Sequence, residues 1–272
     1  MNEKTYDSEN KSDSGNKYTA IIIEPRRHKA LEFVLENFLT NLSDEWSIII
    51  YYGLDNKYYL RNIIRTKLIN FINRISTVNL NVKNLTIDDY NNLMINRDFV
   101  NSIPTEVFLI FQTDTLICEE TKYLLDDFMK YDYVGAPWIH NGVVGNGGLS
   151  LRRKSKMLEI IDNCEYLGIN EDEYFSWGCK NVSINLPTVE EAKKFSIETM
   201  YNRKSFGIHK AWVYLKENIN NQCKNYDKLV RLNIEKFVNT EYINKNEQER
   251  YILMIIIICI IIYYIYKSKI IK

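Results

Sequence analysis

Four short groups of residues in this chain carry side chains suited to chemistry. Gln112-Thr113-Asp114 closes a strongly hydrophobic run, and a carboxylate at the end of a buried strand can hold a divalent ion. The plainer role for such an Asp is a turn or helix cap. Gly145-Asn146-Gly147-Gly148 lets a backbone approach a ligand closely, because glycine has no Cβ to obstruct it, and it serves equally as a tight loop. Glu171-Asp172-Glu173 can supply a general base, a task for a carboxylate aimed into a cleft, although three acids in a row also make an ordinary solvated surface. His209, one of three histidines, lies between Gly207 and Trp212, where a metal ligand and a structural imidazole read alike. No GxGxxG stands on a strand-to-helix turn and no GK[ST] is present, which argues against dinucleotide and P-loop chemistry.

These groups are far apart, so secondary structure must bring them together. Thr19 to Glu24 (TAIIIE) is an apolar run before Pro25, Lys29 to Leu39 has helical spacing, and Trp46 to Tyr52 (WSIIIYY) is stopped by Gly53. Strand, helix, strand is the opening of a parallel α/β sheet. The pattern continues with a helix over Tyr59 to Ile75, an extended stretch over Thr77 to Leu85, a helix over Ile87 to Asn96 and a buried strand over Glu106 to Gln112. Ligands of such sheets sit at the carboxyl ends of the strands, which puts Gln112, Thr113 and Asp114 at a mouth. A helix over Thr121 to Lys130 follows, then a glycine-containing loop and a further helix reaching Ile161.

The chain has 272 residues, 46% of them hydrophobic, enough for one main core. Its 35 basic and 35 acidic residues cancel, so no global field favours nucleic acid. Five scattered cysteines without a CxxC pair argue against a zinc knuckle or a disulfide framework. Residues 1–17 read as a disordered polar arm, 18–236 as the main domain and 237–250 as a linker. Tyr251 to Tyr266 carries no charge and as a helix spans roughly 24 Å. Extension to Ile271 with Lys267 and Lys269 snorkelling gives about 31 Å, enough for a transmembrane segment over 251–271. The expected topology is a single-pass C-terminal tail anchor with the main domain in the cytosol.

Taken together, Tyr90-Asn91 in DDYNNLM, FQTDT at Phe111 to Thr115, YDYVGAPW at Tyr131 to Trp138, GNGGLSLR at Gly145 to Arg152, NEDEYFS at Asn170 to Ser176, AKKFSIE at Ala192 to Glu198 and FGIHKAW at Phe206 to Trp212 resemble the domain of unknown function 5672 family. Its members are similar to glycosyltransferases of the GT-A fold. The resemblance implies a nucleotide-sugar-binding α/β domain with a central, mostly parallel sheet flanked by helices. It also implies transfer of a sugar from a nucleotide-sugar donor to a hydroxyl of a glycan, lipid or protein acceptor at the membrane surface. Asp114 stands where such enzymes carry a DxD motif, with Gln112 replacing the first acid. His209 becomes a second metal ligand, a pairing that suits Mn2+ better than Mg2+. Gln112, Trp138, Asn146, Gly147 and Gly148 would line the donor and acceptor, Glu171 or Asp172 would be the base, and Glu24, Arg26, Tyr90 and Asn91 would flank the nucleotide. The missing first acid also allows an alternative, a catalytically inactive glycan-binding or interaction module of the same fold anchored to a membrane.

Overall fold

Runs such as YTAIII and WSIIIYY combine β-branched and aromatic residues without charge, the composition of strands covered on both faces. A computed structural model of the protein, which describes residues 8–9, 16–139, 142–216 and 219–235, shows them in that role. In chain order the strands are β1 (Ser8–Glu9), β2 (Tyr18–Ile23), β3 (Trp46–Tyr52), β4 (Ile75–Asn79), β5 (Val107–Phe111), β6 (Thr115–Ile117), β7 (Tyr133–Val134), β8 (Leu149–Arg153), β9 (Ser196–Ile197) and β10 (Gly207–His209). The helices are α1 (Leu31–Asn41), α2 (Lys57–Thr66), α3 (Ile87–Met94), α4 (Arg97–Ser102), α5 (Lys154–Asn163), α6 (Glu171–Glu173), α7 (Val189–Phe195) and α8 (Tyr226–Glu235). Seven strands form the main sheet in the order β1-β4-β3-β2-β5-β8-β7, and β6-β10-β9 form a second, small sheet. The inner four strands are parallel, as the alternating pattern requires. β8 and β7 join them antiparallel on one side and β1 on the other. Ser8–Glu9, inside the stretch read as a polar arm, thus form an edge strand.

Side chains alternate across a strand, and β2 divides its own between two cores. Ala20 and Ile22 pack with Leu31, Val34, Leu35 and Phe38 of α1. Ile21 packs with Met94, Phe99 and Ile160 of α3, α4 and α5 on the opposite face. The sheet is therefore the middle layer of three. Local signals fix the helix starts: Thr86 with Asp89, and Thr188 with Glu191, form capping boxes at α3 and α7.

Three expectations are corrected. The helix expected over Tyr59 to Ile75 ends at Thr66 and gives way to a 3-10 turn at Ile69–Arg74, because Arg74 is needed to donate to the carbonyls of Leu39, Leu42, Ser43 and Trp46 around the end of α1. The helix expected over Thr121 to Lys130 is a series of 3-10 turns over Glu119–Phe128. The cysteines do pair, Cys118 with Cys223 and Cys164 with Cys179. These partners lie 105 and 15 residues apart, with no local motif marking either pair. The fifth, Cys259, lies outside the described residues, as do residues 237–272 as a whole. Among the described residues no helix is long and apolar enough to cross a membrane.

Cys118–Cys223 ties the segment before α8 to the end of β6, and both cysteines are fully buried. Closing a loop of that length removes disorder from the unfolded chain. Replacing both cysteines by Ala should lower unfolding stability in urea by about 4 to 5 kcal/mol, checked against the Cys164→Ala/Cys179→Ala pair, whose shorter loop makes its loss smaller.

Candidate active site

Strand register accounts for the convergence of the four groups. β5 ends at Phe111 and pairs with β8 so that Phe111 faces Leu149, which sets Gly148 beside Gln112 at one rim of the sheet. After β5 the chain turns sharply, with Thr115 Oγ1 donating to the Gln112 carbonyl at 2.6 Å, and enters β6. In the small sheet Thr115 lies opposite His209, so Asp114 and His209 meet at the open end of that ladder. β9 runs parallel to β10, Ile197 beside Ile208, and the next residue, Glu198, arrives next to His209. α8 contributes from the far end of the domain, where Asn233 donates to the Thr113 carbonyl at 2.9 Å.

The result is an imidazole between two carboxylates. His209 Nε2 is 3.5 Å from Asp114 Oδ1, and His209 Nδ1 is 3.2 Å from Glu198 Oε1. Neither contact is aligned as a hydrogen bond, and Asp114 Oδ1, Glu198 Oε2 and His209 Nδ1 are buried without a hydrogen-bond partner. Burial opposes charge on the ring, yet Asp114 and then Glu198 outweigh it and lift the His209 pKa to about 10. Burial likewise opposes the Asp114 carboxylate, and His209 with Lys210 more than reverses that, leaving its pKa below the usual value. A side chain at position 148 would collide with the His209 ring, so only glycine allows this contact.

The glycine loop is held from two sides. The Asn146 amide donates to Glu198 Oε1 at 3.1 Å and its oxygen accepts the Gly148 N–H at 3.0 Å. The Gly147 N–H donates to Asp172 Oδ2 at 2.9 Å, and a Cβ there would press on Glu171 and Asp172. Gly145 adopts φ +148°, with Ser176 where a side chain would have to go. Trp138, half-buried in the neighbouring hairpin, pairs through its N–H with the Val143 carbonyl at 2.9 Å.

Glu171 and Asp172, adjacent in sequence, have different fates. Glu171 is buried in a two-pronged ion pair with Arg152, which is itself 1% exposed. Arg152 also donates to Ser150 Oγ and Tyr133 Oη, and its guanidinium lies over the Tyr133 ring at 4.7 Å. Both Glu171 oxygens are engaged by the Arg152 charge, which anchors Glu171 to the sheet. Asp172 keeps lone pairs beyond the backbone N–H groups of Gly147 and Glu173. Burial first, then the neighbouring Glu171, pushes its pKa up to about 6, a value suited to proton transfer near neutrality.

The residues expected at the nucleotide are more mixed. Glu24, at the end of β2, accepts the backbone N–H and two guanidinium N–H bonds of Arg26. Arg26 is 41% exposed, and its charge is reinforced by Glu24 and also by Asp114. The Asn91 side chain accepts the Glu171 N–H at 3.2 Å, supporting α6 from behind. Burial, and then the Glu171 charge, raises the Tyr90 pKa. Four contributors were absent from the sequence reading: Arg152 as a buried charge, Glu198, Asn233, and Asn56, whose amide donates to the Glu24 and Arg26 carbonyls. Only Asn56, just after a glycine that ends a strand, carries a local turn signal.

The family decides the comparison. Residues 74–209, half of the chain, match the family model described as Protein of unknown function (DUF5672). The chain belongs to the DUF5672 family. No curated protein matches the sequence. Among solved structures, galactosyltransferase LgtC in complex with donor and acceptor sugar analogues is similar to this DUF5672 chain at a TM-score of 0.52 and 10% identity, over 84% of this chain and 99% of that one. The glycosyltransferase GlyE of Streptococcus pneumoniae TIGR4 gives 0.49 at 10% identity, over 80% and 60%. Mannosyltransferase PcManGT from Pyrobaculum calidifontis, in complex with GDP-Man and Mn2+, gives 0.46 at 10% identity over 63% of this chain, which spans about half (54%) of that protein's length. The likeness to LgtC shows the fold, a helix-flanked α/β sheet of the GT-A type.

Among the described residues no three His, Cys, Asp or Glu side chains are grouped to hold a metal. Glu198 approaches the imidazole from the Nδ1 side and Asp114 from the Nε2 side, so the ring separates them. Asp114, whose Oδ1 has no hydrogen-bond partner, and His209 Nε2 are the two donors that would hold a divalent ion here.

For the buried pair, Glu171→Gln should cost about 3 to 5 kcal/mol in urea unfolding, because it strands the Arg152 charge in the core. Glu171→Leu combined with Arg152→Met should regain much of that loss in the same measurement.

Proposed function

We propose that this DUF5672 protein transfers a sugar from a nucleotide-sugar donor to a hydroxyl of a glycan, lipid or protein acceptor. The observation that carries the reading is the meeting of Asp114 and His209 at the carboxyl edge of the strands, with an unsatisfied Asp114 oxygen and the Arg26 charge near it. The fold agrees with it, since LgtC binds donor and acceptor sugar analogues on the same architecture. Asp114 and His209 would hold a divalent ion, Mn2+ rather than Mg2+ because one ligand is an imidazole nitrogen. When bound, that ion offsets the charge growing on the departing diphosphate. Arg26, partly exposed and electrostatically coupled to Asp114, adds a second positive group for the phosphates. The glycines at 147 and 148 let the His209 ring and the Glu171–Asp172 pair pack directly on the loop backbone, which keeps these side chains beside the proposed donor site. Asp172 takes the proton from the acceptor hydroxyl as its oxygen bonds to the anomeric carbon and the bond from that carbon to the diphosphate breaks.

Two substitutions test this in a turnover assay with the full chain, Mn2+ and a panel of nucleotide sugars. Asp114→Asn should lower turnover by at least about 10²-fold, through lost charge stabilisation. Asp172→Asn should lower it by about 10² to 10⁴-fold. In the wild type, turnover should rise with pH through about 6 as the Asp172 carboxylate ionises, then level. That rise should vanish in Asp172→Asn. Donor binding without turnover in the wild type would instead favour a glycan-binding module, the alternative raised by Gln112.

Residues 251–271 are proposed to attach the domain to a membrane, on the strength of the uncharged, Ile-rich run from Tyr251 to Tyr266. The two disulfides favour a domain that matures in an oxidising compartment, against the cytosolic side expected from the sequence. Alkylating cell extracts before reduction and counting modified cysteines by mass spectrometry decides the side. Protection of Cys118, Cys223, Cys164 and Cys179 is expected, and reactive thiols at Cys164 and Cys179 would return the domain to the cytosol.

A further inference from the structure

Glu198 has no part in the transfer steps above, yet its carboxylate is 4% exposed in the interior beside the site. A buried carboxylate is costly unless something compensates it. Its hydrogen-bond donor among the described contacts is the Asn146 amide, to Oε1, while Oε2 has none. The nearest group that compensates its charge is His209 Nδ1, 3.2 Å away. The other ring nitrogen, Nε2, faces Asp114. A carboxylate on one imidazole nitrogen and a metal position on the other is the arrangement by which proteins fix a ligand's tautomer and ring orientation.

We propose that Glu198 is the positioning residue for His209. It accepts the Nδ1 proton, leaves the Nε2 lone pair directed to the metal position shared with Asp114, and is held in register by Asn146. This rests on the metal reading of Asp114 and His209 given above. It also gives Asn146 a definite task. With its oxygen on the Gly148 N–H and its amide on Glu198, Asn146 joins the loop that would face the donor sugar to the ring that would face the metal. A shift of that loop is thereby transmitted to the imidazole through two hydrogen-bonding side chains.

The test is Mn2+ binding to the full chain, followed by electron paramagnetic resonance, with 14N modulation as the signature of imidazole coordination. The wild type should bind Mn2+ and show that modulation. Glu198→Ala should bind about 10 to 100-fold more weakly and lose or alter the modulation. Glu198→Gln should recover most of the affinity, because the Asn146 amide keeps an oxygen turned toward Nδ1. Asn146→Ala should fall between the two. Glu198→Ala with wild-type affinity and modulation, even with a lowered melting temperature, would show a purely structural residue and overturn the proposal. A wild type that binds Mn2+ without 14N modulation, or not at all, would overturn the metal reading beneath it and this proposal with it. If Glu198→Ala does not fold, Glu198→Gln and Asn146→Ala decide: affinities equal to the wild type in the second overturn the relay.

Discussion

The buried ion pair between Arg152 and Glu171 sets the geometry on which the rest of the site depends. Two charges removed from water are tolerated only when their hydrogen-bonding capacity is filled, and here the guanidinium is shared among Glu171, Ser150 and Tyr133. Because Arg152 belongs to β8 and Glu171 to α6, the pair fastens a short and otherwise weak helix to the sheet. Asp172 then meets the Gly147 N–H, and the loop positions Asn146. From Asn146 the contacts run through Glu198 and His209 to Asp114. Burial beside this pair, and then the Glu171 charge, raises the pKa of Asp172. One carboxylate is spent on architecture and its neighbour is tuned by the result.

Much of this was legible in the sequence, where it was local. The strand ends at Glu24, Gln112 and Asp114, the glycine run, and the parallel α/β order all follow from hydrophobic periodicity and from residues with special backbone freedom. Register was not legible. That Glu198 sits beside His209 depends on β9 pairing with β10, and that Asn233 reaches Thr113 depends on a helix 120 residues further along the chain. Neither pairing leaves a local mark. Burial was equally hidden: Arg152 reads as one of two consecutive arginines, LRR, yet it is interior while Arg153 is partly exposed. Strand alternation can separate such neighbours only after the strand itself is placed. The cysteine pairs failed for the same reason, since 105 residues of intervening fold carry no spacing rule.

The small sheet β6-β10-β9 has a role out of proportion to its size. The main sheet supplies the platform and the mouth, but the two residues most suited to a metal face each other only because β10 turns back along β6. α8 and the Cys118–Cys223 bridge brace that small sheet from outside, at Thr113 and Cys118. Helix α8, which lies beyond the segment matched by the family model, is thus integral to the domain and not a spacer leading away from it.

The contact of Gly148 with the His209 ring has an evolutionary reading. Every missense change of a glycine codon adds at least a Cβ, so position 148 has no neutral neighbours among the amino acids while the imidazole remains. Divergence within such a scaffold is expected to proceed by altering the residues that choose a ligand while the backbone carrying the ring stays frozen, which separates the evolution of specificity from that of the fold.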